Sequence, residues 1–110
     1  MKTIIWNENA LKFVRGLEPK TRMEIGTLLT LLQMGQKLSA PQSKPLKTIH
    51  AKAHELRVRD KNGAYRVIYV LDTGEQIFIP HAFSKKTEKT PLKEIELSIR
   101  RLKVILDENK

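Results

Sequence analysis

The chain has 110 residues, 40% of them hydrophobic, which suffices for one buried core and not for two. Its 21 Lys and Arg residues outnumber 12 Asp and Glu residues, and the net charge of +9 favours a nucleic acid, an anionic surface or an acidic protein as partner. The absence of cysteine excludes disulfides, thiolate metal sites and cysteine nucleophiles.

The amino-terminal residues lack the long apolar core of a signal peptide, because only Ile4, Ile5 and Trp6 precede the return of polar residues. No apolar run approaches the length of a membrane span. We therefore expect a cytoplasmic protein that has no membrane partner and folds as a single domain over residues 1–110.

The first third of the chain predicts one strand and two helices. Thr3–Trp6 is a short β-rich run, and Asn7 can cap a helix that continues to Arg15. A second helix is predicted to open at Pro19 and to end at Gly35. One apolar stripe with helical spacing indicates that the two helices pack on a core, and it consists of Ile25, Leu28, Leu29 and Leu32.

Residues 36–53 are polar and contain Pro41 and Pro45, which predicts a long surface connection anchored by Leu46. A connection of this length in a small domain is often functional. Because this one holds four basic residues and one histidine, His50, we expect a mobile lip beside a binding face.

An antiparallel meander of three strands is predicted next. In Glu55–Arg59, Leu56 and Val58 point to one face of the sheet, and Arg57 and Arg59 point to the other. An Asn-Gly turn at residues 60–63 leads into a second strand, residues 64–71. In that strand Tyr65, Val67, Tyr69 and Leu71 share one face, while Arg66 lies on the opposite face.

The third strand, residues 76–83, follows a turn at residues 72–74, and Pro80 suits a sheet edge or a bulge near the strand end. The last helix is predicted to have Thr90 as its cap and Pro91 as its first residue. Its apolar stripe consists of Leu92, Ile95, Ile99, Leu102 and Leu106. The predicted fold is therefore α+β, with two amino-terminal helices and one carboxy-terminal helix on a small, mainly antiparallel four-stranded sheet.

Three strings of the sequence carry a family resemblance. They are Glu55-Leu-Arg57, Gly63-Ala-Tyr-Arg-Val-Ile-Tyr69, and His81-Ala-Phe-Ser-Lys-Lys-Thr-Glu-Lys-Thr-Pro91 followed by Glu94-Ile95. Over residues 46 to 101 the chain closely resembles the phage-derived HigB-like branch of the RelE/ParE toxins. The resemblance implies a RelE-like fold and a type II toxin that works without a metal or cofactor. Such a toxin cleaves mRNA on the ribosome and is paired with a cognate helix-turn-helix antitoxin.

The chemistry implied by the resemblance is attack of a ribose 2′-OH on the adjacent phosphate, with departure of the 5′-oxygen. It requires a base, an acid and cations near the phosphate. Arg57, Arg66, His81 and Lys85 are the candidate catalytic residues, and whether Lys or His supplies the base is open. Surface or acid-paired arginines and a structural histidine are the alternative interpretations. The candidate RNA-binding residues are Lys47, Lys52, Arg59, Lys86, Lys89 and Tyr65.

Two other functions remain open on the same fold, because the fold alone does not specify an activity. One is a ParE-like inhibitor of DNA gyrase, and the other is a basic RNA-binding module without catalysis. The nuclease hypothesis requires that guanidinium, ammonium and imidazole groups converge in one electropositive hollow. Scattered side chains, or side chains neutralised by internal carboxylates, would contradict it.

Overall fold

The computed structural model describes residues 1–71 and 74–109, so Asp72 and Thr73 of the predicted turn lie outside the described residues. Three helices and five strands confirm the α+β class. Within the described part of the chain, no helix combines the length and apolarity needed to cross a membrane. The elements are β1 (Thr3–Trp6), α1 (Glu8–Arg15), α2 (Pro19–Gln33), β2 (Ser43–Pro45), β3 (Ala53–Asp60), β4 (Gly63–Val70), β5 (Gln76–Lys85) and α3 (Leu92–Glu108).

The ends of the first two helices follow their local signals. The Asn7 side chain accepts a hydrogen bond of 3.0 Å from the Ala10 backbone N–H, which satisfies one of the exposed donors at the start of α1. Pro19 is the first residue of α2. Beyond the end of α2, Gly35 has a φ of +87°, which glycine adopts without steric cost. Its N–H donates to the Leu32 carbonyl and closes the last turn.

The sheet has five strands in the order β1-β5-β4-β3-β2, so the predicted count of four is one too low. β1 runs parallel to β5, and the other pairs are antiparallel. The additional strand, β2, lies inside the predicted connection of residues 36–53 and pairs its Ser43 with Leu56 of β3. Its three residues include Pro45, which an edge strand tolerates because one side of it needs no ladder bonds. A strand of three residues is too short to show an alternating pattern in the sequence.

Both faces of the sheet are covered, and each has its own core. Leu56, Val58 and Val67 point to one face, where α1 and α2 pack over them. Ile68 and Phe78 point to the opposite face, where α3 packs over its apolar part. Leu46 reaches this second core as predicted, and Ile49, which is buried, joins it. The residues of β3, β4 and β5 that alternate along each strand with residues of the first core therefore point to the α3 face of the sheet.

Pro80 lies in the middle of β5, and this strand continues to Lys85, two residues beyond its predicted end. The register between β4 and β5 shifts here, because Ile68 pairs with His81 whereas Val70 pairs with Phe78. An irregularity at Pro80 is therefore present, but it lies in the middle of an interior strand and not at the predicted sheet edge or strand end. Irregular pairing is compatible with proline, which has no N–H to donate to a ladder.

The start of α3 differs from the prediction. Pro91 is the capping residue, and the hydroxyl of Thr90 donates to the carboxylate of Glu55 at 2.6 Å instead of capping the helix. The helix begins one residue later than predicted, at Leu92, so Thr90 precedes the capping position. The predicted stripe is confirmed in part: Leu102 is buried, and Ile95 and Leu106 pack against the second core, whereas Leu92 and Ile99 are exposed. Ser98 and Ile105 are the other buried side chains of α3.

Candidate functional site

The register of β3 and β4 places Arg57 directly opposite Arg66 on the α3 face of the sheet. Lys85 lies on the same face of the adjoining strand β5 and pairs with Ala64. Two like charges that face each other across a strand pair destabilise a sheet unless a counter-ion separates them. The arrangement therefore requires an acid close by.

That acid is Glu55, which shares the face of Arg57 at a spacing of two residues. Its Oε1 lies 3.3 Å from Nε of Arg66, 3.8 Å from Nε of Arg57 and 3.8 Å from Nζ of Lys85. The Glu55 residue is only 2% exposed. We call Arg57, Arg66, Lys85 and Glu55 the cation cluster, whose three positive charges and one negative charge sum to +2.

Arg57, Arg66 and Lys85 converge as predicted, but His81 does not join them, because its ring lies between Glu94 and Arg101 of α3. No role was predicted for Glu55. The signal that could have identified it is its position two residues before Arg57, because residues at this spacing share a face of a strand. The internal carboxylate neutralises one of three cations, so the electropositive character is reduced and not removed.

The members of the cation cluster differ in their access to solvent. The side chain of Arg57 is 32% exposed, whereas those of Arg66 and Lys85 are 8% and 3% exposed. Nη1 of Arg66 also donates a hydrogen bond of 3.0 Å to the carbonyl of Tyr65, which fixes its direction. Arg57 is thus the member that an incoming anion meets first.

A cavity of about 360 Å³ opens beside the cation cluster. We call it the arginine hollow because three arginines, Arg57, Arg59 and Arg66, are among its lining residues. Guanidinium groups bind phosphate oxygens in a planar fork, so three of them around one cavity form a suitable site for a phosphodiester. The cavity is also lined by Glu24, Pro41, Gln42 and Val58.

Burial affects the protonation of the cluster. It lowers the pKa of Lys85, Glu55 acts in the opposite direction, and the neighbouring cations, Arg66 first among them, lower the pKa further. Burial likewise lowers the pKa of the Arg66 guanidinium, although arginine stays charged in proteins. Lys85 is therefore closer to proton exchange at neutral pH than an exposed lysine.

His81 lies on the same face of β5, four residues before Lys85, and each of its ring nitrogens lies close to a charged side chain of α3. Nδ1 is 3.0 Å from Nη1 of Arg101, and because arginine only donates, Nδ1 is the acceptor. Nε2 lies 3.4 Å from Oε1 of Glu94. The ring also stacks on Phe83 with a centroid distance of 4.9 Å.

These contacts attach α3 to β5 and leave His81 buried. Burial lowers its pKa, the hydrogen bond and charge of Glu94 oppose this, and the charge of Arg101 lowers it further. The sequence analysis assigned no role to Arg101. Its helical spacing from Glu94, seven residues, could have indicated that both side chains face the same neighbour.

The depressed pKa of His81 predicts a loss of stability in weak acid. The unfolded chain takes up a proton near the ordinary value of 6.5, whereas the folded protein resists it. Stability should therefore be complete above pH 6.5 and decrease as the pH falls through the lower, folded pKa. We expect urea denaturation to give a lower unfolding free energy at pH 5.5 than at pH 7.5. His81→Gln should reduce this difference, and an unchanged pH dependence in that variant would contradict the assignment.

The remaining predicted residues are distributed around the cluster. Tyr65 is buried on the opposite face, where its ring packs against that of Phe13 at a centroid distance of 6.3 Å, and this burial does not fit the RNA contact predicted for it. The exposed residues are Lys47 and Lys52 before β3, Arg59 at the arginine hollow, and Lys86 and Lys89 in the loop between β5 and α3. Among the residues that the structure describes, no three His, Cys, Asp or Glu side chains are grouped to hold a metal ion.

Comparison with solved structures identifies the fold. A mutant of the E. coli toxin RelE in the free state matches with a TM-score of 0.66 and 17% identity, covering 92% of this chain and 97% of that one. The isolated E. coli RelE toxin gives 0.56 and 16% identity, with 80% and 89% of the two chains covered. The intact E. coli RelBE toxin–antitoxin complex gives 0.53 and 18% identity, over 79% of this chain and all of that one (100%).

At these identities the structural matches confirm the predicted RelE-like fold and no more. A search of curated proteins found no significant match. The family model described as "Phage derived protein Gp49-like (DUF891)" matches residues 12–103, most of the chain. This chain is therefore a member of the phage-derived Gp49-like family, with the fold of the RelE toxins.

Proposed function

We propose that the protein is the toxin of a type II toxin–antitoxin system and acts as a ribosome-dependent mRNA endoribonuclease in the cytoplasm. The arginine hollow carries this proposal, because its lining residues include three arginines and one acid, Glu24, and two of these arginines belong to the cation cluster. The RelE-like fold, with matches that include a toxin–antitoxin complex, supports it, as does the sequence resemblance. Its partners are a cognate helix-turn-helix antitoxin and mRNA on the ribosome.

In the proposed reaction, the phosphodiester of the message lies in the arginine hollow. Arg57 and Arg59 contact its non-bridging oxygens from the solvent side, and Arg66 contributes charge from the inner wall. The 2′-oxygen bonds to phosphorus and the bond from phosphorus to the 5′-oxygen breaks, which leaves a cyclic phosphate and a 5′-hydroxyl. Fixed cations stabilise the negative charge that builds up on the phosphorane.

Proton transfer is assigned to Lys85 in this proposal, because its Nζ shares the Glu55 carboxylate with Arg57 and Arg66, although Lys85 itself does not line the arginine hollow. Its lowered pKa favours the neutral amine that can accept the 2′-OH proton, and the departing 5′-oxygen takes up a proton from solvent. His81 is less suited, because Arg101 and Glu94 lie close to its two ring nitrogens. We therefore assign His81 to positioning: it attaches α3 to β5 near the loop that carries Lys86 and Lys89.

The proposal requires cations that are available to substrate, so the charge of the buried Glu55 carboxylate must not neutralise all of them. Glu55 contacts all three cations through one oxygen, so no cation has an exclusive partner in it. Arg57 keeps a third of its side chain exposed, and Arg59 is exposed at the rim. The hollow thus retains positive charge that substrate can reach.

Expression of the chain alone in growing bacteria tests the proposal. We expect growth to stop, and co-expression of the small helix-turn-helix protein encoded beside it to restore growth. Primer extension on an abundant message should then reveal new 5′ ends inside the reading frame. The same message with its start codon removed should stay intact, because cleavage requires translation.

Three other results would each change this assignment. Intact messages together with broken chromosomal DNA would favour a gyrase inhibitor on the same fold. RNA that is bound and not cut by the purified protein with ribosomes would favour a non-catalytic RNA-binding module. Cleavage of the untranslated message would retain the nuclease but remove its dependence on the ribosome.

A further inference from the structure

The surroundings of Glu55 differ from those of a counter-ion on the protein surface. It is 2% exposed, and within 3.8 Å of its Oε1 lie nitrogens of Arg57, Arg66 and Lys85 from three different strands. One carboxylate oxygen is thus the meeting point of β3, β4 and β5. Burying a carboxylate costs several kcal/mol unless its oxygens are well paired, so the site is tolerated only because cations surround it.

The second oxygen of Glu55 extends the arrangement to the basic loop. Oε2 accepts a hydrogen bond of 2.6 Å from the hydroxyl of Thr90, the residue that would otherwise cap α3. The loop from Lys86 to Thr90 is therefore attached to the sheet through the same carboxylate that gathers the cations. A second tie within the loop, from the Thr87 hydroxyl to the Lys89 carbonyl at 2.8 Å, limits its freedom.

Without this carboxylate, the directly paired Arg57 and Arg66 would repel each other. Arg57, the more exposed of the two, would be expected to turn towards solvent, away from the hollow. The spacing of the guanidinium groups around the hollow would then no longer be set before substrate arrives. Groups held in advance accelerate a reaction because no reorganisation is required during it.

We propose that Glu55 is a positioning residue, which holds Arg57, Arg66 and Lys85 and, through Thr90, the basic loop in one arrangement before a phosphodiester binds. This inference rests on the proposed function. It assigns to Glu55 an effect on the rate of cleavage and not on the affinity for RNA. The carboxylate touches neither the message nor the reacting atoms.

Glu55→Gln tests the inference, because it removes the charge and keeps a side chain of similar shape. We expect kcat for message cleavage on ribosomes to fall about 10- to 100-fold, since small misplacements of catalytic groups have effects of this size. KM should stay within about twofold of that of Glu96→Gln, an exposed control on α3 with the same change in net charge. A kcat equal to that of this control would overturn the proposal.

Thr90 provides a second pair of variants that leave the buried charges in place. Thr90→Val should lower kcat and Thr90→Ser should restore it, because serine keeps the hydroxyl that donates to Glu55. This comparison decides the matter if Glu55→Gln does not fold. Wild-type kcat in Thr90→Val would then overturn the role of the carboxylate in holding the loop.

A measurement without RNA separates this inference from the proposed function. In NMR spectra of the free protein, the Nε–H resonances of Arg57 and Arg66 should move in Glu55→Gln and stay in place in Glu96→Gln. Unmoved resonances in Glu55→Gln would overturn the inference even if wild-type protein cleaves messages. If wild-type protein leaves every message intact, the proposed function is wrong, and these resonances alone decide whether Glu55 organises the cluster.

Discussion

Arg57→Ala should lower the rate of message cleavage about 100- to 1,000-fold, the usual cost of removing one fixed donor from a site where negative charge develops. Arg57 is the member of the cation cluster with the largest exposed fraction, 32% of its side chain, and it lines the arginine hollow. Substrate therefore meets this guanidinium directly. Single-turnover cleavage of a ribosome-bound message measures the effect.

The controls for Arg57 separate its charge from its geometry. Arg22→Ala removes an exposed arginine from α2, outside the hollow, and should cleave at close to the wild-type rate. Arg57→Lys should recover only part of the lost rate, because an ammonium cannot form the planar fork of a guanidinium. Equal activity of Arg57→Ala and Arg22→Ala would show that the hollow does not bind the reacting phosphate.

Lys85→Met should lower the cleavage rate by about 100-fold or more, which is typical for loss of a general acid or base. The side chain is 3% exposed, so a methionine of similar length fills the same space. We therefore expect Lys85→Met to lose no stability through formation of a cavity. Because the variant loses a cation, RNA affinity should also weaken, and kcat must be measured at saturating message.

The pH dependence distinguishes proton transfer from electrostatic support by Lys85. Its lowered pKa means that the neutral amine increases as the pH rises, so the wild-type rate should rise with pH towards that pKa and then level off. Lys85→Arg keeps the charge and cannot lose a proton, so it should be as slow as Lys85→Met. Near-wild-type cleavage by Lys85→Arg would assign Lys85 to charge stabilisation alone. Lys93→Met, on the exposed side of α3, is the control.

Local signals were sufficient to predict most of the helices and strands. Asn7, Pro19 and Gly35 act through their own backbone and immediate neighbours, so helix boundaries near them were predictable without knowledge of the fold. Alternation along β3 and β4 correctly separated the side chains of the first core from the arginines on the opposite face of the sheet. β2 was missed because two polar residues and a proline form a strand only where the edge of another strand is available for pairing.

The errors in the prediction of α3 also arise from contacts with residues that are distant in the sequence. Thr90 and Pro91 are residues typical of a helix start. The Thr90 hydroxyl, however, donates a hydrogen bond to the carboxylate of Glu55, which lies 35 residues earlier on β3. The helix also packs through Ser98 and Ile105, and not through Leu92 and Ile99, because the sheet and not the helix determines which face is covered. Competition between a local partner and a distant one is not visible in a linear pattern.

For this protein, the sequence by itself determined the basic charge, the class of fold, the family resemblance and which residue types could do the chemistry. Periodicity and capping are local properties, and the charge is a sum over residues, so neither depends on the final packing. Only the tertiary structure decided that Arg57, Arg66 and Lys85 meet at one carboxylate, that His81 is held between Glu94 and Arg101, and that Tyr65 lies on the far face. These contacts join residues far apart in the chain, and the strand register that creates them is set by the whole core.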